Sequence, residues 1–179
     1  MKIENNKIVI RSAKLDDAKQ LNTWWNDGKV MEHAGFPKGL GESLEKTKRL
    51  VSENENQLSQ RCVIEIDSKL VGECSYRIYK NEAAIGIKIC DFNYQNKGYG
   101  TELLKLLIKF LFEDENLNSR EKINRIFLDT NLNNKRAQRV YEKIGFNKVG
   151  TRKNCWKDQL GRLQSVVDYE MTRKDYNNL

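Results

Sequence analysis

From Arg61 to Phe112 the chain spells three strand-like segments in a row and then a helix entered through two glycines, an order few folds accept. The segments are Arg61 to Asp67, Lys69 to Tyr79 and Glu82 to Asp91. The breaks between them, Asp67-Ser68-Lys69 and Lys80-Asn81-Glu82, are short and polar, as hairpin turns require, so the three form an antiparallel meander. Next comes Tyr94-Gln95-Asn96-Lys97-Gly98-Tyr99-Gly100-Thr101, and at once an apolar-periodic run. Leu103, Leu104, Leu107, Ile108 and Leu111 fall on one face at helical spacing, which predicts a helix to Phe112.

The flanks fill in around this block. Lys7 to Ala13 reads as a strand, and Leu15 to Trp25 as a helix with Asp16 and Asp17 suited to its positive N-terminal end. Residues 26 to 41 are irregular, punctuated by Gly28, Gly35, Pro37, Gly39 and Gly41. A polar amphipathic helix is predicted from Glu42 to about Asn54. Beyond the central block, Ile123 to Thr130 is a strand, Asn134 to Ile144 a helix ended by Gly145, and Phe146 to Trp156 and Arg162 to Thr172 are strands. With 179 residues, 39% of them hydrophobic, the chain suits a single domain, 1–179.

A net charge of +7 and a pI near 9.2 attract anions. Nucleic acid, a membrane surface and a phosphate-bearing cofactor are the candidates, beside a merely solvated basic surface. No aromatic-interleaved basic stripe or DNA- or RNA-binding motif is present, so nucleic acid is not expected. No run reaches the roughly twenty apolar residues of a membrane span, and the N-terminus is charged where a signal peptide would be apolar. A soluble cytoplasmic protein, monomer or homodimer, is the expectation. Cys62, Cys74, Cys90 and Cys155 are far apart, form no Cys-x-x-Cys pair and read as buried thiols; no metal site is expected. His33 is the one histidine, so any Ser-His-Asp or Cys-His scheme would have to use it, in a stretch with no visible partner.

The glycine turn has a physical reading. A helix start leaves backbone N–H groups without partners and carries the positive end of the macrodipole, so it attracts phosphate. Gly98 and Gly100 remove the β-carbons that would hold a phosphate away, and Lys97 adds a charge. The competing reading is a strand-to-helix turn whose glycines relieve backbone strain. The turn has neither a Walker lysine followed by Ser/Thr nor the third glycine of a dinucleotide fold.

About forty residues after Gln95-x-x-Gly98-x-Gly100 stands Asn134-x-x-Ala137-x-x-Val140-Tyr141-x-x-x-Gly145-Phe146. Together these resemble the GNAT acetyltransferase superfamily, over about residues 8 to 173. The resemblance implies an α/β (α+β) fold, a mixed central sheet of about seven strands flanked by about four helices. It implies acetyl-coenzyme A as co-substrate, its pyrophosphate held at Gln95, Asn96, Lys97, Gly98, Tyr99, Gly100 and Thr101. It also implies contacts from Asn134 and from the backbone of Ile89, Cys90 and Asp91, where an N–H could polarise the thioester carbonyl. The run Gly150-x-Arg152-x-x-x-Trp156-x-Asp158-x-x-Gly161, followed by Asp168 and Met171, resembles the branch of ribosomal-protein N-terminal acetyltransferases, which borders on aminoglycoside and polyamine enzymes.

The expected reaction is acetyl transfer to a primary amine, a peptide or protein N-terminus before a small polyamine or aminoglycoside; a non-catalytic acetyl-coenzyme A sensor is the alternative. Tyr141 matches the family tyrosine near the coenzyme A sulfur, and an ordinary pKa near ~10 would suit it as proton donor. The same residue lies on the apolar face of its helix, as a core tyrosine would. Asp129 is the candidate base, with Glu73, Glu32 and His33 as competitors. Trp25, Glu32 and His33 are candidate acceptor contacts, although Trp24 and Trp25 also fit a helix-to-sheet packing role. Asp16, Asp17, Asp27 and Glu32 offer local negative charge for a polycationic acceptor.

Overall fold

The computed structural model describes residues 1–53, 58–119 and 122–179. Its strands are β1 (Lys2–Asn5), β2 (Ile8–Ser12), β3 (Ser59–Ile66), β4 (Lys69–Tyr79), β5 (Glu82–Ile89), β6 (Arg125–Asn131), β7 (Asn147–Lys157) and β8 (Leu163–Thr172). The helices are α1 (Ala18–Trp25), α2 (Gly28–Met31), α3 (Leu44–Ser52), α4 (Tyr99–Glu113), α5 (Glu115–Asn118), α6 (Lys135–Lys143) and α7 (Arg173–Asn177). The strands form one mixed sheet in the order β1-β2-β3-β4-β5-β6-β8-β7. The sheet has eight strands where about seven were expected, the addition being β1. The predicted end of α3 at Asn54 lies outside the described residues.

The chain divides into two compact units. The first comprises 1–13, 54–128 and 170–179. Its meander is β3, β4 and β5, antiparallel throughout, with Ile66 paired to Lys69 and Tyr79 to Glu82. That register leaves two residues in each turn, and both residues of each have positive φ: Asp67 at 49° and Ser68 at 63°, Lys80 at 49° and Asn81 at 66°. These are the mirror-image turns whose twist matches a hairpin, made here without glycine. A bulge between Ile64 and Glu65 distorts the β3–β4 ladder opposite Val71. β6 runs parallel to β5, with ladder pairs only from Glu82↔Arg125 to Ala84↔Phe127. α4 buries Leu103, Leu104, Leu107, Ile108 and Leu111, the stripe its sequence marks out. Its Phe110 meets Tyr76 of β4 with ring centroids 6.0 Å apart. The C-terminus is fastened by Arg173, which donates to the carbonyls of Ile123 and Phe112 and to Asn118 Oδ1, each at 2.8 Å.

The second unit comprises 14–53 and 129–169. The helix expected from Leu15 begins as a 3-10 turn over Leu15–Asp17, where Asp17 accepts from the Lys14 backbone N–H at 2.7 Å, and becomes α1 at Ala18. α1 and α3 are joined by Asn22 and Asn26. Asn22 Nδ2 donates to the Glu42 carbonyl and to Thr47 Oγ1, and Asn26 bonds the Glu42 backbone through both its side-chain atoms. The segment read as irregular contains α2, capped by Asp27, and a 3-10 turn over Glu32–Ala34. α6 ends at Gly145, whose φ of 97° only glycine takes without strain.

Candidate functional site

The turn before α4 is built by its polar side chains. Asp91 Oδ1 accepts from the Asn93 N–H at 2.9 Å, and Gln95 Nε2 donates to the Ile89 carbonyl at 2.8 Å, folding the chain back at the end of β5. Asn96 and Gly98 both take left-handed conformations, with φ of 60° and 85°. Thr101 N–H closes the first helical bond onto the Gly98 carbonyl at 3.0 Å. Among the described residues, the backbone N–H groups of Asn96, Lys97, Gly98, Tyr99 and Gly100 find no acceptor. Five successive donors without partners are a concavity for an anion, strengthened by the helix dipole.

The two glycines leave room there. A β-carbon built on Gly98 would meet nothing within 4 Å, and one on Gly100 would meet only Ile89 Cδ1, at 3.9 Å. Packing therefore does not require glycine at position 100, and φ requires it only at 98. The absent β-carbon at 100 leaves open space beside these N–H groups. Lys97 is exposed and makes no ion pair among the described residues, so its charge is available to that anion. These residues fit a pyrophosphate.

At the end of β5, where contacts to the thioester arm are expected, two of the three N–H groups are engaged within the chain. The N–H groups of Cys90 and Asp91 both donate to the Val71 carbonyl, at 2.8 and 2.9 Å. Val71 stands opposite the β3–β4 irregularity on one side, and on the other its carbonyl takes both N–H groups. Ile89 presents its carbonyl to Gln95. Glu73, on β4, is 9% exposed between Arg61 and Lys88, each at 3.4 Å.

In the second unit Asn134 caps α6, its side chain accepting from Ala137 N–H at 3.2 Å. One and two turns on, α6 presents Gln138 and Tyr141, both 7% exposed. The Tyr141 ring is packed edge-on against Phe146 and Tyr169, with centroids 6.1 and 5.5 Å away. Tyr169 spends its hydroxyl on Glu142 at 2.7 Å. The Tyr141 hydroxyl, by contrast, has no hydrogen-bond partner among the described residues, and it is not sealed from solvent. Core tyrosines usually bond their hydroxyl, so a buried ring with an unengaged reachable oxygen points to a ligand. Burial, and then the charge of Asp129, push the Tyr141 phenol up to about 12, above the ordinary value expected from sequence. It stays protonated until the pH approaches that value. The expected outcome of an ultraviolet titration is that Tyr141 is silent between pH 9 and 11 at about the ordinary tyrosine range. Asp129→Asn, by removing the second cause, should move its titration downward in pH.

Asp129 itself is exposed and paired: Arg152 Nη2 lies 2.8 Å from its Oδ2 and 2.8 Å from Asp168 Oδ1, while Arg152 Nε donates to Asp168 Oδ2 at 2.9 Å. Glu32 and His33 are exposed on the 3-10 turn, and Trp25 is buried at 3% with its carbonyl accepting from Leu40 N–H. Trp24 is buried too, at 7%. Of the cysteines, Cys62, Cys74 and Cys90 are buried as expected, and Cys155 is exposed on β7. No group of three or more His, Cys, Asp or Glu among the described residues is gathered as a metal site would need. Among the described residues, no helix is long and apolar enough to cross a membrane.

A mixed sheet with a glycine turn of partnerless N–H groups opening the helix after β5 fits one class, the acyl-coenzyme A N-acyltransferases. The chain belongs to the Acetyltransferase (GNAT) domain family, whose profile matches residues 7–147. It is an acetyl-coenzyme A-dependent N-acetyltransferase. Similar proteins include the uncharacterised N-acetyltransferase YnaD of Bacillus subtilis (strain 168), 26% identical over 87% of this chain and 88% of that one. Another is aminoglycoside N(6')-acetyltransferase type 1 of Serratia marcescens, 27% identical over 95% of this chain and 89% of that one. Among solved structures, a ribosomal L7/L12 α-N-protein acetyltransferase (RimL) in complex with coenzyme A shares the fold at a TM-score of 0.80 and 18% identity, covering 96% of this chain and 98% of that one.

Proposed function

We propose that the chain passes the acetyl group of acetyl-coenzyme A directly to a primary amine, with no acetylated enzyme in between. The observation that carries this reading is the set of partnerless N–H groups from Asn96 to Gly100 beside two open glycine positions. These amides and Lys97 hold the pyrophosphate, and Gln95 and Thr101 shape the turn that presents them. Asn134 keeps its side-chain N–H groups for the polar arm of the same co-substrate. Acetyl-coenzyme A supplies the acetyl group and a thiol leaving group. The two compact units act as one N-acetyltransferase domain, a reading supported by the single family profile that runs through both.

Tyr141 is the residue assigned to the sulfur. A phenol held at about 12 is a weaker acid than a thiol near ~8.5, by roughly 5 kcal/mol of proton transfer. Its first service is therefore a hydrogen bond from the hydroxyl to the sulfur as negative charge gathers there. The proton that finally neutralises the sulfur comes from the attacking amine, which must lose one. Arg152, at 2.8 Å, competes with any incoming ammonium for the Asp129 carboxylate. Asp129 is accordingly assigned the part of a fixed charge beside Tyr141, taking a proton only through water.

For the acceptor, a polyamino sugar is favoured. The supporting observation is the likeness, over 95% of the chain, to an enzyme named for aminoglycosides. Asp27 and Glu32 set two carboxylates on the segment that carries His33, which also holds Lys29 and Lys38, and Asp16 lies before α1. The peptide N-terminus expected from the Gly150 to Gly161 run is the second reading. It loses weight because Asp158 is engaged within the β7–β8 turn and Trp156 against Gly35. A thiol-release assay with kanamycin, spermidine and a short peptide bearing an unblocked N-terminus tests the choice. Saturable release with kanamycin is the expected result. Release with the peptide alone would transfer the reading to protein N-termini, and binding without release from any amine would leave a sensor.

A further inference from the structure

The C-terminal run Trp156 to Gly161 has a use that the reaction just described does not assign, and its geometry lies wholly within the second unit. Asp158, 7% exposed in the β7–β8 turn, grips that turn. Its Oδ1 accepts from the N–H groups of Leu160 and Arg162 at 2.9 and 3.0 Å, and its Oδ2 accepts from Arg162 Nε at 2.7 Å and Gln164 Nε2 at 2.9 Å. Burial pushes the Asp158 carboxyl up, but the bonds from Arg162 and Leu160 outweigh it and hold the group below its usual range. The turn so fixed presents Gln159, which is bonded at three places to the glycine-punctuated segment more than a hundred residues earlier. Its N–H donates to the Gly35 carbonyl at 2.8 Å, its Oε1 accepts from Lys38 N–H at 2.9 Å, and its Nε2 donates to the Gly39 carbonyl at 2.9 Å. The Cζ3–Cη2 edge of the Trp156 indole abuts Gly35, where a β-carbon would come within 2.3 Å of Cζ3.

The other side of the Asp158 hub leads to α6. Gln164 Oε1 accepts from Asn131 Nδ2 at 2.9 Å, Asn131 Oδ1 accepts from Asn133 N–H at 2.9 Å, and the Asn131 carbonyl accepts from Asn134 N–H at 2.8 Å. One polar chain thus runs from the segment next to Glu32 and His33 to the cap of the helix that carries Tyr141.

We propose that Gln159, held by Asp158, is a positioning residue for acceptor recognition: it fixes the segment from Gly35 to Gly39 in register with α6. The inference rests on the reading of Glu32, His33 and their neighbours as the acceptor side. Its test compares wild type with Gln159→Ala and Gln159→Glu, which keeps an oxygen for Lys38 N–H but loses the donor to Gly39. Residue-resolved amide exchange reads the clip itself, and steady-state kinetics, with the amine of the panel that turns over fastest, reads its role. In Gln159→Ala the Lys38 amide should exchange roughly tenfold faster, as expected when one hydrogen bond is lost. The acceptor KM should rise about tenfold, with kcat and the acetyl-coenzyme A KM within about twofold, and Gln159→Glu should fall between. Unchanged exchange at Lys38 would overturn the clip. Faster exchange with an unchanged acceptor KM, or with an equal rise in the acetyl-coenzyme A KM, would overturn its role in acceptor recognition. No turnover with any amine would overturn the functional reading on which that role rests, while exchange would still report the clip.

Discussion

Gly100→Val is expected to weaken acetyl-coenzyme A binding by at least about a hundredfold in a calorimetric titration while leaving the fold intact. The size follows from what the side chain displaces. Two amide bonds to a charged phosphate are worth about 1.5–3 kcal/mol each, and about 3 kcal/mol in total is already more than a hundredfold in Kd. The tolerance of the fold follows from the space: the first added carbon meets only Ile89 Cδ1, at 3.9 Å, and valine is no worse than glycine as a helix former. Gly98→Val should also abolish binding, but its φ of 85° adds strain in the folded state, so position 100 separates the two effects better. A valine at 100 that binds normally would mean the glycine has some other purpose. A valine that unfolds the protein would mean the open space has been misjudged.

Tyr141→Phe should lower kcat by roughly 10²-fold and leave the Kd for acetyl-coenzyme A near wild type. Phenylalanine keeps the edge-on contacts with Phe146 and Tyr169, and the hydroxyl it removes has no partner among the described residues. Stability should accordingly change by less than about 1 kcal/mol, because no intramolecular hydrogen bond is lost. A large fall in the denaturation midpoint with kcat unchanged would assign Tyr141 to the core alone.

Much of this was legible in the sequence because it rests on short-range physics. β4 begins and ends at the residues its alternation marks, Lys69 and Tyr79, since two-residue turns fix the register on both sides. α4 follows from a leucine stripe and a glycine entry. β1 was missed because Lys2–Asn5 offers one apolar residue and is a strand only by pairing with β2 at the sheet edge. α2 spans four residues, too few to show a helical period. The Val71 carbonyl takes the N–H groups of both Cys90 and Asp91, an irregular pairing that no residue pattern announces. Gln159 was invisible as a functional residue for a different reason: its partners at Gly35, Lys38 and Gly39 lie about 120 positions away, a distance no local rule reaches.

Cofactor binding and direct transfer are both read by one experiment, a titration of acetyl-coenzyme A followed in the same sample by thiol detection before and after an amine is added. The predicted result is a single saturable site, no thiol release until the amine arrives, and continuous release afterwards. A flat titration would contradict the assignment of Asn96 to Gly100 as a pyrophosphate cradle, and a stoichiometric burst of thiol without amine would contradict direct transfer.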